Sequence, residues 1–173
     1  DVKKLESVQR RYPAVRVEHD FMSLIHDPGI DAIAIATPVS THFELAMAAL
    51  KAGKHVWVEK PMAETSVQAE QLVKEATQRK LTLMVDHTFV YHGSVRRIRE
   101  LVESGQVGKL RYFDSTRVNL GLFQRDVDVL WDLAVHDLSI MDYLIGKSPV
   151  AVAATGVAHV PGQPVNIAYL TCF

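Results

Sequence analysis

The tripeptide Glu59-Lys60-Pro61 ends a short apolar run, His55-Val56-Trp57-Val58. A lysine leaving the carboxyl end of a buried strand points into the crevice where open α/β sheets bind ligands. Pro61 removes a backbone donor, fixes φ and biases Lys60 toward an extended conformation, so the ammonium group leaves from a stiffened exit. A cation held there can stabilise negative charge developing on an oxygen. The plainer reading is that a charged pair after a strand is the solvated start of a loop.

Further along, Asp132 and His136 fall four apart in a helical pattern and so share one helical face. A carboxylate beside an imidazole sets its tautomer and raises its pKa, which suits a general acid or base working near neutral pH. The alternative is a helix-surface pair with a structural histidine. Thr37-Pro38, followed by Ser40-Thr41-His42, stands at another strand exit, where side-chain oxygens and free helix amides can meet a ribose or phosphate. It reads equally as an ordinary turn and cap. Arg117-Val118-Asn119-Leu120-Gly121, with Arg125 and Asp126 after it, offers charge and amides to an anionic polar ligand, or else is a polar connecting loop. The remaining histidines, at 19, 26, 42, 55, 87, 92 and 159, lack ligand spacing of the His-Glu-x-x-His kind, so no metal is expected.

These residues need elements to hold them. Asp31 to Ala36 is an apolar strand stopping at Thr37-Pro38. A helix capped at Ser40 or Thr41 runs to about Ala52, burying Phe43, Leu45, Ala46, Ala49 and Leu50, and Gly53 ends it. Strand 54–58 follows, then a helix capped at Thr65 or Ser66 through Arg79 along Val67, Leu72, Val73 and Ala76, then strand 81–85. Alternation of this kind predicts a partial Rossmann, doubly wound parallel sheet over 1–92. A helix over 94–103, a turn at Gly105 to Gly108, a half-exposed strand over 109–118 and a long helix over 129–145 come next. Two strands, about 150–159 and 164–173, flank a Pro161-Gly162 turn, so 93–173 reads as a partial α+β domain with an open mixed or antiparallel sheet.

Composition narrows the function. The 173 residues are 48% hydrophobic, ample for a packed core, and carry 19 Lys+Arg against 20 Asp+Glu. A net charge of -1 gives no basic field for nucleic acid. The lone Cys172 excludes an internal disulfide framework and fits a reducing, cytoplasmic compartment. No apolar run approaches membrane-spanning length. Val2, Leu5 and Val8 read as a helix already under way, and 165–173 as a strand without a closing element, so a fragment of a longer protein is expected.

The run from Asp31 through Pro38, then Ser40-Thr41-His42, then Ala48 through Pro61 resembles the Gfo/Idh/MocA oxidoreductases. The likeness continues through Val85-Asp86-His87, Gly105-Gln106-Val107-Gly108 and Asp132-x-x-x-His136, in family order over nearly the whole chain. It implies an NAD- or NADP-linked enzyme acting on a hydroxyl carbon of a sugar, polyol or sugar nucleotide, and a homo-oligomer when complete. It assigns Lys60 to the nicotinamide ribose and the reacting hydroxyl, Glu59 to the cofactor site, His136 to general acid/base work and Asp132 to the substrate beside it. Thr37, Pro38 and His42 match the turn around the cofactor, and the glycine-rich phosphate loop is expected before Asp1. Arg117, Asn119, Arg125 and Trp131, within segments most similar to UDP-N-acetylglucosamine-type (uronic acid) 3-dehydrogenases, would contact substrate. One departure stands out: His92-Gly93 replaces the family's frequent Asn-Pro, which leaves the entry to the next helix open. An NAD-dependent glycoside hydrolase of the same family and a non-catalytic sugar sensor are the rival readings.

Overall fold

The computed structural model describes residues 2–118 and 127–173. Strands β1 (Ala32–Ile35), β2 (His55–Val58) and β3 (Leu83–Val85) form a parallel sheet in the order β1-β2-β3. Ile35 pairs with Val58 and Val58 with Val85, so the carboxyl ends of the strands lie level along one edge. Helix α3 (Val39–Lys51) joins β1 to β2, and α4 (Ser66–Arg79) joins β2 to β3. Ile33, Ile35, Val56 and Val58 pack with Ala46, Ala49 and Leu50 of α3 and with Leu72 and Ala76 of α4. The alanines bring helix backbone close to the sheet, and each branched side chain removed from water contributes about 1.5–3 kcal/mol. Val67 and Val73, expected in this core, are exposed, because α4 turns Leu72 and Ala76 to the sheet and leaves those valines on its flank.

Helix α3 begins at Val39, earlier than expected. Pro38 takes the cap position with no side-chain bond, while the Thr41 hydroxyl turns back onto the Pro38 carbonyl at 2.7 Å. Thr65, one of the two expected caps, starts α4 with a full capping box: its hydroxyl accepts from the Gln68 amide, and the Gln68 side chain accepts from the Thr65 amide. Gly53, at φ 80°, lets the chain leave α3 directly into β2.

Helix α1 (Val2–Arg11) buries none of its residues. The short helix α2 (Phe21–His26), capped by the Asp20 carboxylate, carries Ile25 into the core. After β3 a 3₁₀ turn (Thr88–Tyr91) leads into α5 (Gly93–Glu103). The open question at His92-Gly93 resolves here. His92 is the cap, its Nδ1 accepting from the Ser94 amide at 3.3 Å, so a side chain does the work that the Asn-Pro pair was expected to do.

Two expectations are corrected downstream. Residues 109–118 form no strand: alternation selects faces, but a strand needs a hydrogen-bonded neighbour, and among the described residues the second sheet pairs within itself. The long helix is not uniform. Leu130–Ala134 is a π turn, and α6 (Val135–Ile145) continues from it as α-helix, ending at Gly146 in the left-handed region. Strands β4 (Val152–Val157) and β5 (Ile167–Cys172) then make an antiparallel hairpin around Pro161-Gly162. The fold is therefore a Rossmann-like parallel sheet followed by an open antiparallel one. Among the described residues no helix is long and apolar enough to cross a membrane, and no group of His, Cys, Asp and Glu could hold a metal ion.

Candidate functional site

Lys60 leaves β2 two residues beyond Val58, through a cis Lys60-Pro61 peptide. Its side chain crosses to the π turn, where Nζ donates to the Asp132 carbonyl at 2.7 Å and to Asp132 Oδ1 at 2.9 Å. A π turn interrupts the α ladder, and here the main-chain oxygen and the carboxylate of one residue are both open to the ammonium group. Two of the ammonium's three donors are thereby used, which leaves one for a ligand. Trp131 pins the same turn to the loop after Pro61, its Nε1 donating to the Ala63 carbonyl at 3.1 Å. Glu59, half-buried, folds back to accept from the Lys60 amide at 3.2 Å.

The first two strand exits are tied together by His42. This side chain is 1% exposed, with Nδ1 2.9 Å from the Pro61 carbonyl and Nε2 2.8 Å from the Thr37 carbonyl. Both carbonyls are acceptors, so the ring spans the exits of β1 and β2 rather than offering a free nitrogen to a ligand. The Glu59 amide adds a direct strand-to-strand bond to Ile35 at 2.9 Å. Thr37 and Pro38 are exposed beside it, with the Thr37 hydroxyl 2.7 Å from that of Thr41.

His136 lies one helical step beyond Asp132 but does not pair with it. The expected carboxylate-imidazole partnership is corrected: Asp132 is spent on Lys60, whose ammonium group takes both its main-chain oxygen and its carboxylate. The ring of His136 instead meets Phe89 edge-on, with centroids 4.9 Å apart and planes at 82°. Burial pushes the His136 pKa down, the cations Lys60 and Arg117 push it further, and the Asp137 carboxylate pulls upward without prevailing. His136 is therefore held neutral rather than raised. Its Nδ1 is sealed from solvent without a hydrogen-bond partner, so Nε2 is the nitrogen available to a substrate.

Behind this ring lies a charge network that sequence reading did not find. Arg117 donates to both Asp137 oxygens, at 2.9 and 3.1 Å, and the Ser115 hydroxyl donates to Asp137 at 2.8 Å. The guanidinium also covers Phe89 at 4.9 Å from the ring centroid. Arg117 thus stands against the helix of His136 with its charge already paired. The signal was the Asp137 that follows His136, which spacing alone could not connect to residues 115 and 117. Asn119 and Arg125 lie outside the described residues.

The arrangement presents an ammonium group and a neutral imidazole on facing elements, beside two adjacent exits of a parallel sheet. It suits proton removal from a hydroxyl with stabilisation of the resulting alkoxide. Thr37, Pro38, Glu59 and Lys60 stand at the exits of β1 and β2, which the Glu59 amide joins through its bond to the Ile35 carbonyl. No Gly-x-Gly-x-x-Gly run, the usual pyrophosphate cradle, stands in this sequence.

Comparison with known proteins identifies the family. Residues 1–87 match the "Oxidoreductase family, NAD-binding Rossmann fold" and residues 95–171 the "GFO/IDH/MocA C-terminal domain". The chain is 37% identical over 134 residues to UDP-N-acetylglucosamine 3-dehydrogenase of Acidithiobacillus ferrooxidans, covering 76% of this chain and 41% of that protein. It is 28% identical over 168 residues to the scyllo-inositol 2-dehydrogenase (NADP(+)) IolW of Bacillus subtilis, covering 90% of this chain and 46% of that one. Among solved structures, the YPO2259 oxidoreductase of Yersinia pestis superposes with a TM-score of 0.81 at 31% identity, covering 97% of this chain and 50% of that chain. The oxidoreductase yvaA of Bacillus subtilis gives 0.83 at 28%, covering 98% and 51%. The chain thus spans about half the length of these relatives or less.

Proposed function

The chain belongs to the Gfo/Idh/MocA oxidoreductase family, and from that premise we propose that it forms the catalytic half of an NAD- or NADP-dependent dehydrogenase acting on a hydroxyl carbon of a sugar or sugar nucleotide. The observation that carries this reading is the convergence of Lys60 from β2 with Asp132 and His136 from the π turn and α6. Neutral His136 takes the hydroxyl proton at Nε2. The Lys60 ammonium, fixed by two bonds to Asp132, stabilises negative charge on the same oxygen. The nicotinamide, when bound, supplies hydride acceptance, or donation in the reverse direction. Thr37, Pro38 and Glu59 would hold its ribose side, with His42 keeping the two exits in register. Trp131, Asn119 and Arg125 would bound the substrate together with Arg117.

The 37% identity to a UDP-N-acetylglucosamine 3-dehydrogenase supports a sugar nucleotide as substrate, with oxidation at C3. We place the enzyme in the cytoplasm as a homo-oligomer, with residues 1–92 and 93–173 belonging to its cofactor and substrate domains. The test is NAD(P)H formation by the whole protein with UDP-N-acetylglucosamine and with inositols. Absence of NAD(P)H with all of them would overturn the reading, and release of free sugar from a glycoside at constant NADH would replace it with hydrolysis.

A further inference from the structure

The histidines of this chain divide by how their ring nitrogens are used. Buried His42 has a backbone carbonyl within 3 Å of each ring nitrogen, so both nitrogens are engaged inside the fold. His87 is different: its Nδ1 is sealed from solvent with no hydrogen-bond partner, the condition otherwise found in His136. A buried polar atom left unpaired is destabilising, so a ring that only filled space would be better replaced by phenylalanine. An imidazole kept at that cost has its use at the other nitrogen.

Register says where that nitrogen works. Val58 of β2 pairs with Val85 of β3; Lys60 stands two residues past the first and His87 two residues past the second. The two residues therefore leave the carboxyl ends of adjacent strands, each two positions past a paired residue. Opposite them stand Asp132 and, four residues on, His136. Lys60 bonds to Asp132, while a charge on His87 is felt by His136. Phe89, two residues after His87, touches the His136 ring itself. Two strand exits thus face two positions of one helix, and three of the four corners are already in the site.

We propose that His87 is the fourth corner: a substrate-contacting residue whose Nε2 hydrogen-bonds the hydroxyl next to the one addressed by His136 and Lys60, so that the site reads a vicinal diol. This inference rests on the dehydrogenase reading above. The remaining groups around His136, namely Arg117 and Asp137, are paired with each other and leave His87 as the unpaired neighbour on the strand side. Burial also lowers the His87 pKa against a smaller upward pull from Asp86, which keeps the ring neutral at neutral pH and able to accept from a hydroxyl; it becomes charged only in the more acid range where His136 also titrates.

Two measurements on the whole protein test it. The first needs no turnover: NMR titration of the His136 imidazole in wild type and in His87→Phe, which keeps ring bulk and removes the charge. The His136 midpoint should rise in the variant, and an unmoved or lowered midpoint would show that the two rings are not neighbours. The second compares UDP-N-acetylglucosamine with its 4-deoxy analogue, using His87→Asn, whose amide is too short to reach the Nε2 position, and His87→Gln, whose amide replaces it. His87→Asn should lose about tenfold or more in kcat/KM on the parent sugar and less than about twofold on the analogue, with His87→Gln recovering part of the loss. Equal losses on both sugars, or no recovery with glutamine, would overturn the proposal. Were wild type to form no NAD(P)H with the parent sugar or with any inositol, the dehydrogenase reading would fall, and the His136 titration alone would decide whether His87 shares its site.

Discussion

Lys60 and Asp132 lie 72 positions apart in sequence, yet one ammonium group is held by both the main-chain and side-chain oxygens of that single aspartate. The pair is about one-fifth exposed on each side, so water weakens it without dissolving it. Asp132 thereby aims the lysine, and the lysine in turn holds the π turn to the end of the parallel sheet.

Lys60→Ala should reduce kcat by about 100- to 1,000-fold, the usual consequence of removing a group that stabilises a developing oxyanion. KM for the sugar should change far less, because the charge it meets exists only in the transition state. Steady-state kinetics of the whole protein would show this split, and unchanged kcat would remove Lys60 from the chemistry.

The acid limb of kcat/KM for oxidation should lie below the ordinary imidazole range of about 6.5, since burial, Lys60 and Arg117 all disfavour His136 as a cation. A base must be unprotonated to act, so activity should persist below that value and fall only as the lowered pKa is crossed. Asp137→Asn removes the carboxylate that pulls His136 upward and unpairs Arg117, so the limb should move further toward acid. A pH-rate profile of both proteins checks the direction.

Folding stability should follow the same groups. His136 and His87 both have folded pKa values below their unfolded ones, so the unfolded chain binds more protons in the window beneath about 6.5. Their contribution is intact above that window and is lost as pH falls through the lowered values. Chemical denaturation at several pH values should show stability dropping there in wild type, with a smaller drop in His87→Phe.

His42→Phe keeps the volume and removes both ring nitrogens, leaving the Thr37 and Pro61 carbonyls without the partner that joins them. A cost of about 1–3 kcal/mol is expected, read as a lower denaturation midpoint. Cofactor affinity should weaken as well, because the exits carrying Thr37 and Glu59 lose their tie; calorimetry with NADH would detect it.

Lys80 ends α4 at φ 57°, in the left-handed region that side chains other than glycine enter at a cost. Lys80→Gly should therefore stabilise the protein by about 1 kcal/mol, and Thr65→Ala at the other end of the helix should destabilise it by a similar amount through loss of the capping box. Thermal melts of the two variants should move in opposite directions.

Much of this was legible along the chain. The strands at Ile33 and Ile35 and at Val56 and Val58 are short, apolar and β-branched, bounded by Thr37-Pro38 and Glu59-Lys60-Pro61, and local pattern of that kind fixes strand, turn and helix in order. Parallel pairing followed because helices of this length separate the strands. The exit position of Lys60 followed from the same pattern. What local pattern could not contain was partnership. Asp132 and His136 sit at α-helical spacing, and that spacing suggested a pair; the carboxylate goes instead to Lys60, a cation that only the packing of the β2 exit against the π turn brings within reach. Arg117 and Ser115 reach Asp137 across about twenty residues, and His42 spans two carbonyls from different strand exits. Sequence settles which local conformations are cheap, whereas the neighbours of a buried charge or ring depend on how whole elements pack, and only the tertiary structure decides that.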